Sequence, residues 1–125
     1  MTRAIVLFAH GARDARWAEP FEAVAARVRA AAPDCTVALA FLELMAPTLP
    51  EAAAGLVAAG ATRIDVVPLF LGTGGHLRRD LPPLVEALRG THPAVEFHLH
   101  EAIGEHPGVV DAMAAAAVAA AGFSE

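Results

Sequence analysis

The chain has 125 residues, which is the length of a single domain, 1–125, that can fold without disulfides. Its formal net charge of −5 argues against a nucleic-acid-binding surface, because such surfaces are usually basic. The single cysteine, Cys35, excludes an internal disulfide and a two-cysteine metal site. Apolar runs such as 52–61 and 112–123 are too short to span a membrane, and residues 1–3 lead directly into a strand without a secretory signal. We therefore expect a cytoplasmic protein that binds neither nucleic acid nor membrane.

The first half of the chain alternates apolar runs with amphipathic segments. Residues 3–9 predict a strand, and a helix is expected to begin near Pro20. Four side chains of this helix recur at helical spacing and are expected to face a sheet: Phe21, Val24, Ala25 and Val28. Residues 36–44 are almost continuously apolar and predict a second strand that is covered on both faces. A second helix is expected within 46–60, where Gly60 ends it.

The second half repeats the pattern. Residues 64–71 predict a third strand, which is followed by the glycine-rich loop 72–76. A third helix is expected after this loop, with an N-cap residue and two first-turn prolines: Asp80, Pro82 and Pro83. Residues 93–100 alternate apolar and polar side chains, which indicates a strand that has one solvated face or lies at a sheet edge. A fourth helix is expected from Pro107 to an alanine-rich end at Gly122.

Four strand–helix repeats with short connections predict an α/β fold with a four-stranded parallel sheet between two layers of helices. The flavodoxin-like strand order 2-1-3-4 places the first strand beside the third, and the direction of winding reverses between them. Ligands of such sheets bind outside the carboxyl ends of the strands at this reversal. We therefore expect the functional site between the ends of the first and third strands.

Two imidazoles and a carboxylate follow strands that end at this edge. His10 follows the first strand, His76 comes six residues after Phe70, and Glu43 leaves the second strand. This ligand set favours a borderline divalent ion such as Fe²⁺, Co²⁺, Ni²⁺ or Zn²⁺, and it leaves coordination positions open for a substrate. Either imidazole could instead accept a proton, so the identity of the base stays open. His92 and His106 are expected at the surface. His98 and His100 share one face of the fourth strand, a spacing that could bind a metal, but we expect no functional role for them.

The glycine-rich loop 72–76 lacks the Lys-Ser/Thr ending of a phosphate loop, and its spacing differs from that of a dinucleotide-binding motif. Its glycines permit a flat or bulky ligand to approach the backbone closely. Four arginines near the predicted site are candidates for contacting the carboxylates of a polyanionic substrate: Arg13, Arg16, Arg78 and Arg79.

Six segments occur in a specific order and spacing: HGARD at 10–14, WAEPF at 17–21, FLELMAP at 41–47, VPLFLGTGGH at 67–76, DLP at 80–82 and AIG at 102–104. Together they resemble the small sirohydrochlorin chelatases, the short CbiX-type branch of the class II chelatases. The resemblance implies an enzyme, a metal-chelatase lyase of cobalamin or sirohaem biosynthesis, that inserts a divalent metal into this tetrapyrrole. Co²⁺ is favoured, followed by Fe²⁺, and the metal is a substrate, so no permanently bound cofactor is expected.

The resemblance also implies roles for individual residues. His10 would be a metal ligand and proton acceptor, His76 a second ligand, and Glu43 a weaker ligand. Seven residues would line the macrocycle: Met45, Ala46, Leu71, Gly72, Thr73, Gly74 and Gly75. Ala46 stands where nickel-inserting relatives are expected to have an acidic residue, which disfavours nickel. Larger relatives look like two fused units, which implies a homodimer here.

Two other functions stay open on the sequence. The same site could serve a non-catalytic metal or tetrapyrrole carrier. His10-Gly11 is also similar to the Arg-His-Gly start of histidine phosphatases, although Ala9 stands where their phosphate-binding arginine would be.

Overall fold

The computed structural model describes residues 2–72 and 74–123, and of His76 it describes the backbone only. Four strands alternate with four helices: β1 Thr2–Ala9, α1 Glu19–Ala31, β2 Cys35–Phe41, α2 Leu49–Ala58, β3 Ala61–Pro68, α3 Gly75–Thr91, β4 Glu96–Leu99 and α4 Pro107–Ala120. Short 3₁₀ helices lie at Ala15–Ala18 and Ile103–Glu105. Within the described ranges, no helix combines the length and apolar character needed to cross a bilayer.

The sheet is parallel and has the order β2-β1-β3-β4, which confirms the prediction. β1 lies at its centre, and Phe8 pairs with Ala40 of β2 on one side and with Pro68 of β3 on the other. The carboxyl ends of three strands therefore lie side by side. The loops that follow β1, β2 and β3 leave from this common edge.

The core occupies mainly the sheet face that α2 and α3 cover. Strand side chains such as Phe8 and Ile64 pack there with Leu56 of α2 and Val85 of α3, and all four are at most 6% exposed. Burial of each such side chain stabilises the fold by roughly 1.5–3 kcal/mol. On the opposite face, α1 packs on β2 through a smaller cluster around Leu7, Ala25 and Val37.

The prediction of which α1 side chains face the sheet is wrong for one residue. Ala25 is buried, and Phe21 and Val28 are partly buried, but Val24 is 39% exposed. Consecutive helical residues point about 100° apart, so the side that brings the small Ala25 against the sheet turns Val24 outward.

The predicted start of the third helix is also wrong. α3 begins at Gly75, five residues before Asp80, and both Pro82 and Pro83 lie inside it. An apolar stripe explains the extension, because Leu77 packs against the core one turn before Leu81, in line with the buried residues Val85 and Leu88. Packing of this stripe offsets the backbone hydrogen bonds that the two prolines cannot donate.

Two strands, β2 and β4, are shorter than predicted, and β3 has the predicted length but lies three residues earlier in the chain. β2 ends at Phe41 rather than at residue 44, β3 ends at Pro68 rather than at 71, and β4 begins at Glu96 rather than at 93. The apolar residues beyond the ends of β2 and β3 belong to the loops of the candidate site.

A buried carboxylate in the middle of β3 is a feature that the sequence analysis missed. Asp65 is 5% exposed, and its oxygens lie 3.2 Å from Arg3 Nη2, 3.1 Å from Arg63 Nη2 and 2.8 Å from His100 Nε2. Burial by itself raises the pKa of this carboxyl, but the hydrogen bonds from Arg63, His100 and Arg3 outweigh it and hold the pKa below its ordinary value.

Replacing this carboxylate should destabilise the fold in a pH-dependent way. A lowered pKa in the folded state stabilises the protein above the ordinary pKa of about 4, and this stabilisation is lost as the pH falls below that value. We expect Asp65→Asn to lower the free energy of unfolding by about 2 kcal/mol at pH 7, and by less at pH 3. Urea unfolding at both pH values measures the difference. The exposed pair Glu96–His98 provides the control, since Glu96→Gln should cost under about 0.5 kcal/mol. Equal losses for Asp65→Asn at the two pH values would contradict the assigned role.

Candidate functional site

The loops after β1 and β2 run side by side and form the backbone of the site. Leu42 N donates to Ala9 O at 2.9 Å, and Glu43 N donates to His10 O at 3.0 Å, so strand-like hydrogen bonding continues beyond the sheet. Gly11 has a φ of +99°, and a Cβ at this position would fall on the carbonyl oxygen of Glu43. Only glycine therefore allows the two loops to approach this closely.

This approach joins two of the residues that were predicted to share the site. His10 Nε2 lies 2.9 Å from Glu43 Oε1, and the side chains are 48% and 55% exposed. The rings of His10 and Phe70 pack in a T-shaped arrangement, with their centroids 6.2 Å apart and their planes inclined by 68°, and Phe70 is buried. When the proton is on Nε2, the imidazole donates it to Glu43. In the other neutral tautomer, with the proton on Nδ1, Nε2 offers a lone pair beside the carboxylate, where it can bind a metal or accept a proton.

His76, the second predicted histidine, lies in the first turn of α3 rather than in the preceding loop. Its side chain and the whole of Thr73 lie outside the described residues. Among the side chains that the structure describes, no group of three His, Cys, Asp or Glu residues could hold a metal ion. The structure thus brings together His10 and Glu43, while the role of His76 stays a prediction.

The loop that leads from β3 to α3 is hydrogen-bonded to the segment that follows β4. Gly104 N donates to Phe70 O at 2.9 Å, and a Cβ at Gly104 would overlap the backbone of Leu71. Leu71 itself is 69% exposed at the surface. Gly72 is exposed, and Gly74 and Gly75 form the N-cap and first residue of α3. Residues 102–104 were part of the recognised sequence pattern, but only the structure shows what Gly104 contacts.

The loop after β2 carries the remaining predicted substrate-binding residues. Ala46 is exposed, whereas Met45 is partly buried and packs against the cluster that contains Ala18 and Phe41. Leu44 was not predicted as a site residue. It is 59% exposed beside Glu43 and has a φ of +66°, which is uncommon for a residue with a side chain. Exposed leucines thus directly follow two residues of the site, Leu44 after Glu43 and Leu71 after Phe70.

The four candidate arginines have different surroundings. Arg16 is bound to Asp14, with Nη2 2.8 Å from Oδ2, and Arg78 Nη2 lies 2.7 Å from Glu105 Oε1. Arg79 Nε donates to the carbonyl of Gly75, and Arg13 is exposed on the loop after His10. Exposed ion pairs of this kind are weak, so Arg16 can exchange its carboxylate partner at little cost. Their contact with a substrate stays a prediction.

Within the described residues, the site around His10 and Glu43 is open to solvent, and both side chains are about half exposed. A cavity of about 970 Å³ lies on the α1 face of the sheet, where Ile5 and Val67 contribute to its wall, and neither His10 nor Glu43 lines it. A smaller cavity of about 320 Å³ is bounded by Arg78, Glu105 and their neighbours. The open arrangement suits a ligand that is larger than a single side-chain pocket.

Comparisons with known proteins agree with the fold described above. The chain is 35% identical to the CbiX protein from Marinobacter aquaeolei VT8, whose crystal structure superimposes with a TM-score of 0.85 over 95% of this chain and 97% of that one. It is 30% identical to the sirohydrochlorin chelatase SirB from Bacillus subtilis subspecies spizizenii in complex with cobalt, with a TM-score of 0.80. That match covers 92% of this chain but 49% of SirB.

Two curated relatives match over shorter segments. Sirohydrochlorin ferrochelatase from Priestia megaterium is 37% identical over 71 residues, which are 57% of this chain and 27% of that protein. Sirohydrochlorin cobaltochelatase from Saccharolobus solfataricus is 53% identical over 49 residues, 39% of this chain and 38% of that protein. The matches thus span less than two fifths of these two relatives. The CbiX family model, in contrast, matches residues 4–120, and the chain therefore belongs to the CbiX family.

Proposed function

We propose that this protein is a sirohydrochlorin metal chelatase, which inserts a divalent ion into the tetrapyrrole and releases two pyrrole protons. The observation that carries the proposal is the pair of His10 and Glu43, held 2.9 Å apart at the carboxyl edge of the sheet. Relatives named as sirohydrochlorin ferrochelatase and cobaltochelatase support the substrate.

The separation of the pair suits two neighbouring ligands of one ion. Two ligand atoms that bind an ion at about 2.1 Å and at a right angle are about 3.0 Å apart. His10 and Glu43 are already at this spacing, so an ion can replace the proton between them with little movement of either side chain. Their exposure leaves the other coordination positions open for water and for the tetrapyrrole nitrogens.

The same pair can also accept protons. A pyrrole N–H must lose its proton as the metal–nitrogen bond forms, and an imidazole is suited to accept it near neutral pH. Glu43 would orient the His10 ring and stabilise the imidazolium that results. His76 is proposed as a second metal ligand on the opposite side of the strand reversal.

The macrocycle would lie on the exposed backbone and apolar side chains around the pair. Leu71, Gly72 and the 74–75 segment offer a flat surface on one side, and the loop at Met45 and Ala46 offers one on the other. Exposed arginines near these loops, such as Arg13, would contact the carboxylates of the substrate.

Two metals remain candidates, Co²⁺ first and Fe²⁺ second. The SirB structures are a complex with cobalt and one with Fe³⁺, and the curated relatives include both chelatase types. Imidazole and carboxylate bind either ion, so selectivity would depend partly on supply. Cobalt would place the reaction in cobalamin synthesis and iron in sirohaem synthesis. The ion is a substrate in either case, and we propose that the enzyme keeps no resident cofactor.

We further propose that two copies act together. The chain aligns with 49% of each SirB chain, which has room for two such units. The cytoplasmic location stays a prediction from the sequence.

An insertion assay tests the proposal directly. Sirohydrochlorin is mixed with Co²⁺, Fe²⁺ or Ni²⁺ under anaerobic conditions, and the change in its visible absorbance is followed with and without the protein. We expect the protein to accelerate insertion of Co²⁺ or Fe²⁺ at least 100-fold over the uncatalysed rate. Tight binding of metal or tetrapyrrole without acceleration would show a carrier instead. Release of phosphate from a small phosphoester would favour the phosphatase-like alternative.

A further inference from the structure

Leu44 lies in a tight loop, and the residues on either side of it are fixed by contacts. Phe41 N donates to Pro47 O at 2.9 Å, which closes the loop at its base. Glu43 is hydrogen-bonded to the loop after β1 through its backbone N–H and its side chain, whereas Met45 packs inward against an apolar cluster. The chain therefore turns at Leu44, and among the non-glycine residues that the structure describes only Leu44 has a positive φ, +66°.

Leucine is an unfavourable residue for this position on structural grounds alone. In the left-handed conformation, the Cβ of a residue comes too close to the following carbonyl oxygen, a contact that glycine avoids. The Leu44 side chain is 59% exposed and belongs to none of the apolar clusters that the described residues form. Its burial therefore does not offset the backbone penalty. Strained residues of this kind concentrate at functional sites, where the strain holds a side chain in a required place.

The position of Leu44 beside the His10–Glu43 pair indicates which ligand its side chain would meet. Adjacent Cα atoms are about 3.8 Å apart, so the side chain of Leu44 starts within a few ångströms of the residue that would bind the ion. A macrocycle that receives the ion at its centre extends further than this spacing and reaches Leu44. A leucine cannot donate a hydrogen bond to the carboxylates at the edge of the macrocycle, but it packs favourably on the apolar ring.

A second exposed leucine lies on the loop that contacts His10. Phe70 packs against the His10 ring, and the residue after it, Leu71, is 69% exposed. Exposed apolar side chains thus occur both on the loop that carries Glu43 and on the loop that contacts His10. This distribution fits one flat, apolar ligand that covers the pair and touches both loops.

We propose that Leu44 is a substrate-contacting residue, whose side chain packs on the ring of the tetrapyrrole and holds it over the His10–Glu43 pair. This role rests on the proposed function, which identifies the ligand. The contact exists before metal insertion and during it, so its loss should raise the KM for the tetrapyrrole and leave kcat nearly unchanged. The strain and the contact have opposite effects, because removing the side chain should stabilise the fold but weaken binding.

Three substitutions at Leu44 separate the side chain from the backbone. Leu44→Gly removes both the contact and the left-handed penalty, and we expect it to raise the melting temperature by about 3 °C and to weaken tetrapyrrole binding about tenfold. Leu44→Asn keeps a side chain that tolerates the left-handed conformation but makes it polar, and it should weaken binding to the same extent. Leu44→Met restores an apolar side chain of similar volume and should bind within about twofold of the wild type.

Binding can be measured without metal and therefore without insertion. Trp17 is the only tryptophan, and its ring packs against Phe41 at the base of the Leu44 loop, with the centroids 6.4 Å apart. Tetrapyrroles absorb where tryptophan emits, so titration with sirohydrochlorin should quench this fluorescence and give a dissociation constant for each variant. Leu84→Asn makes the same substitution at an exposed leucine of α3 and should change neither binding nor insertion.

The outcomes distinguish this contact from the proposed function. Wild-type binding by Leu44→Gly and Leu44→Asn, with insertion by the wild type intact, would overturn the contact and leave the chelatase function standing. Weaker binding by both variants, without insertion by the wild type, would support the contact in a carrier and reject the chelatase. A smaller mass of Leu44→Asn than of the wild type in light scattering would assign the leucine to a contact between copies and overturn its role toward the substrate.

Discussion

Replacing His10 with alanine should lower the rate of metal insertion at least 100-fold while changing the free energy of unfolding by less than about 1 kcal/mol. The large effect follows because one side chain would supply both a ligand and a proton acceptor, and loss of a general base alone typically costs 10²–10⁴-fold. The small effect on stability follows because the imidazole is 48% exposed and packs against Phe70 at the edge of the core. Insertion kinetics and urea unfolding of the same preparation measure the two quantities.

Two further variants serve as a control for His10→Ala and as a test of its carboxylate partner. His98→Ala removes an exposed histidine of the edge strand β4 and should leave the insertion rate unchanged. Glu43→Gln keeps the size of the side chain but removes its charge, and we expect an intermediate loss of rate. Partial recovery of the His10→Ala rate at high metal concentration would indicate that His10 acts mainly as a ligand. A changed pH profile at saturating metal would indicate a base. Normal turnover by His10→Ala and by His76→Ala would contradict the proposed site.

The strand order and the proximity of His10 to Glu43 could both be predicted from the sequence. Parallel strands place all their carboxyl ends at one edge, so residues within two positions of the ends of neighbouring strands, such as His10 and Glu43, lie near each other if the strand order is right. The order 2-1-3-4 was right, and the structure joins these two side chains by a hydrogen bond.

Other features depend on contacts that no local pattern contains. Asp80 and the two prolines resemble a helix start, but α3 begins at Gly75 because Leu77 continues a stripe that packs on the core. Asp65 lies in an apolar strand, and its partners Arg3 and His100 are distant in sequence. The sequence predicted α4 as a helix, but an apolar surface on every side gives no indication of which side meets the sheet.

Replacing Gly11 with alanine should both destabilise the fold and inactivate the site. A Cβ at Gly11 falls on the backbone carbonyl of Glu43, and backbone cannot move aside as the tip of a flexible side chain can. The φ of +99° adds a penalty of about 1–2 kcal/mol for any residue other than glycine. We expect a total loss of about 3 kcal/mol in the free energy of unfolding, together with a melting temperature roughly 10 °C lower. Thermal and urea unfolding measure the stability, and the insertion assay measures the activity.

Variants at two other glycines distinguish the steric clash with Glu43 from the backbone penalty of a positive φ. Gly60 has a similar φ of +102° but no atom near its Cβ position, so Gly60→Ala should cost only the backbone penalty of about 1–2 kcal/mol and leave insertion intact. Gly55 lies inside α2 with open space around it, and Gly55→Ala should stabilise the protein by about 0.5–1 kcal/mol. The difference between the Gly11 and Gly60 variants then measures the contact between the His10 and Glu43 loops. Equal destabilisation by these two variants, with insertion retained in both, would mean that the close approach at Gly11 does not hold the pair together.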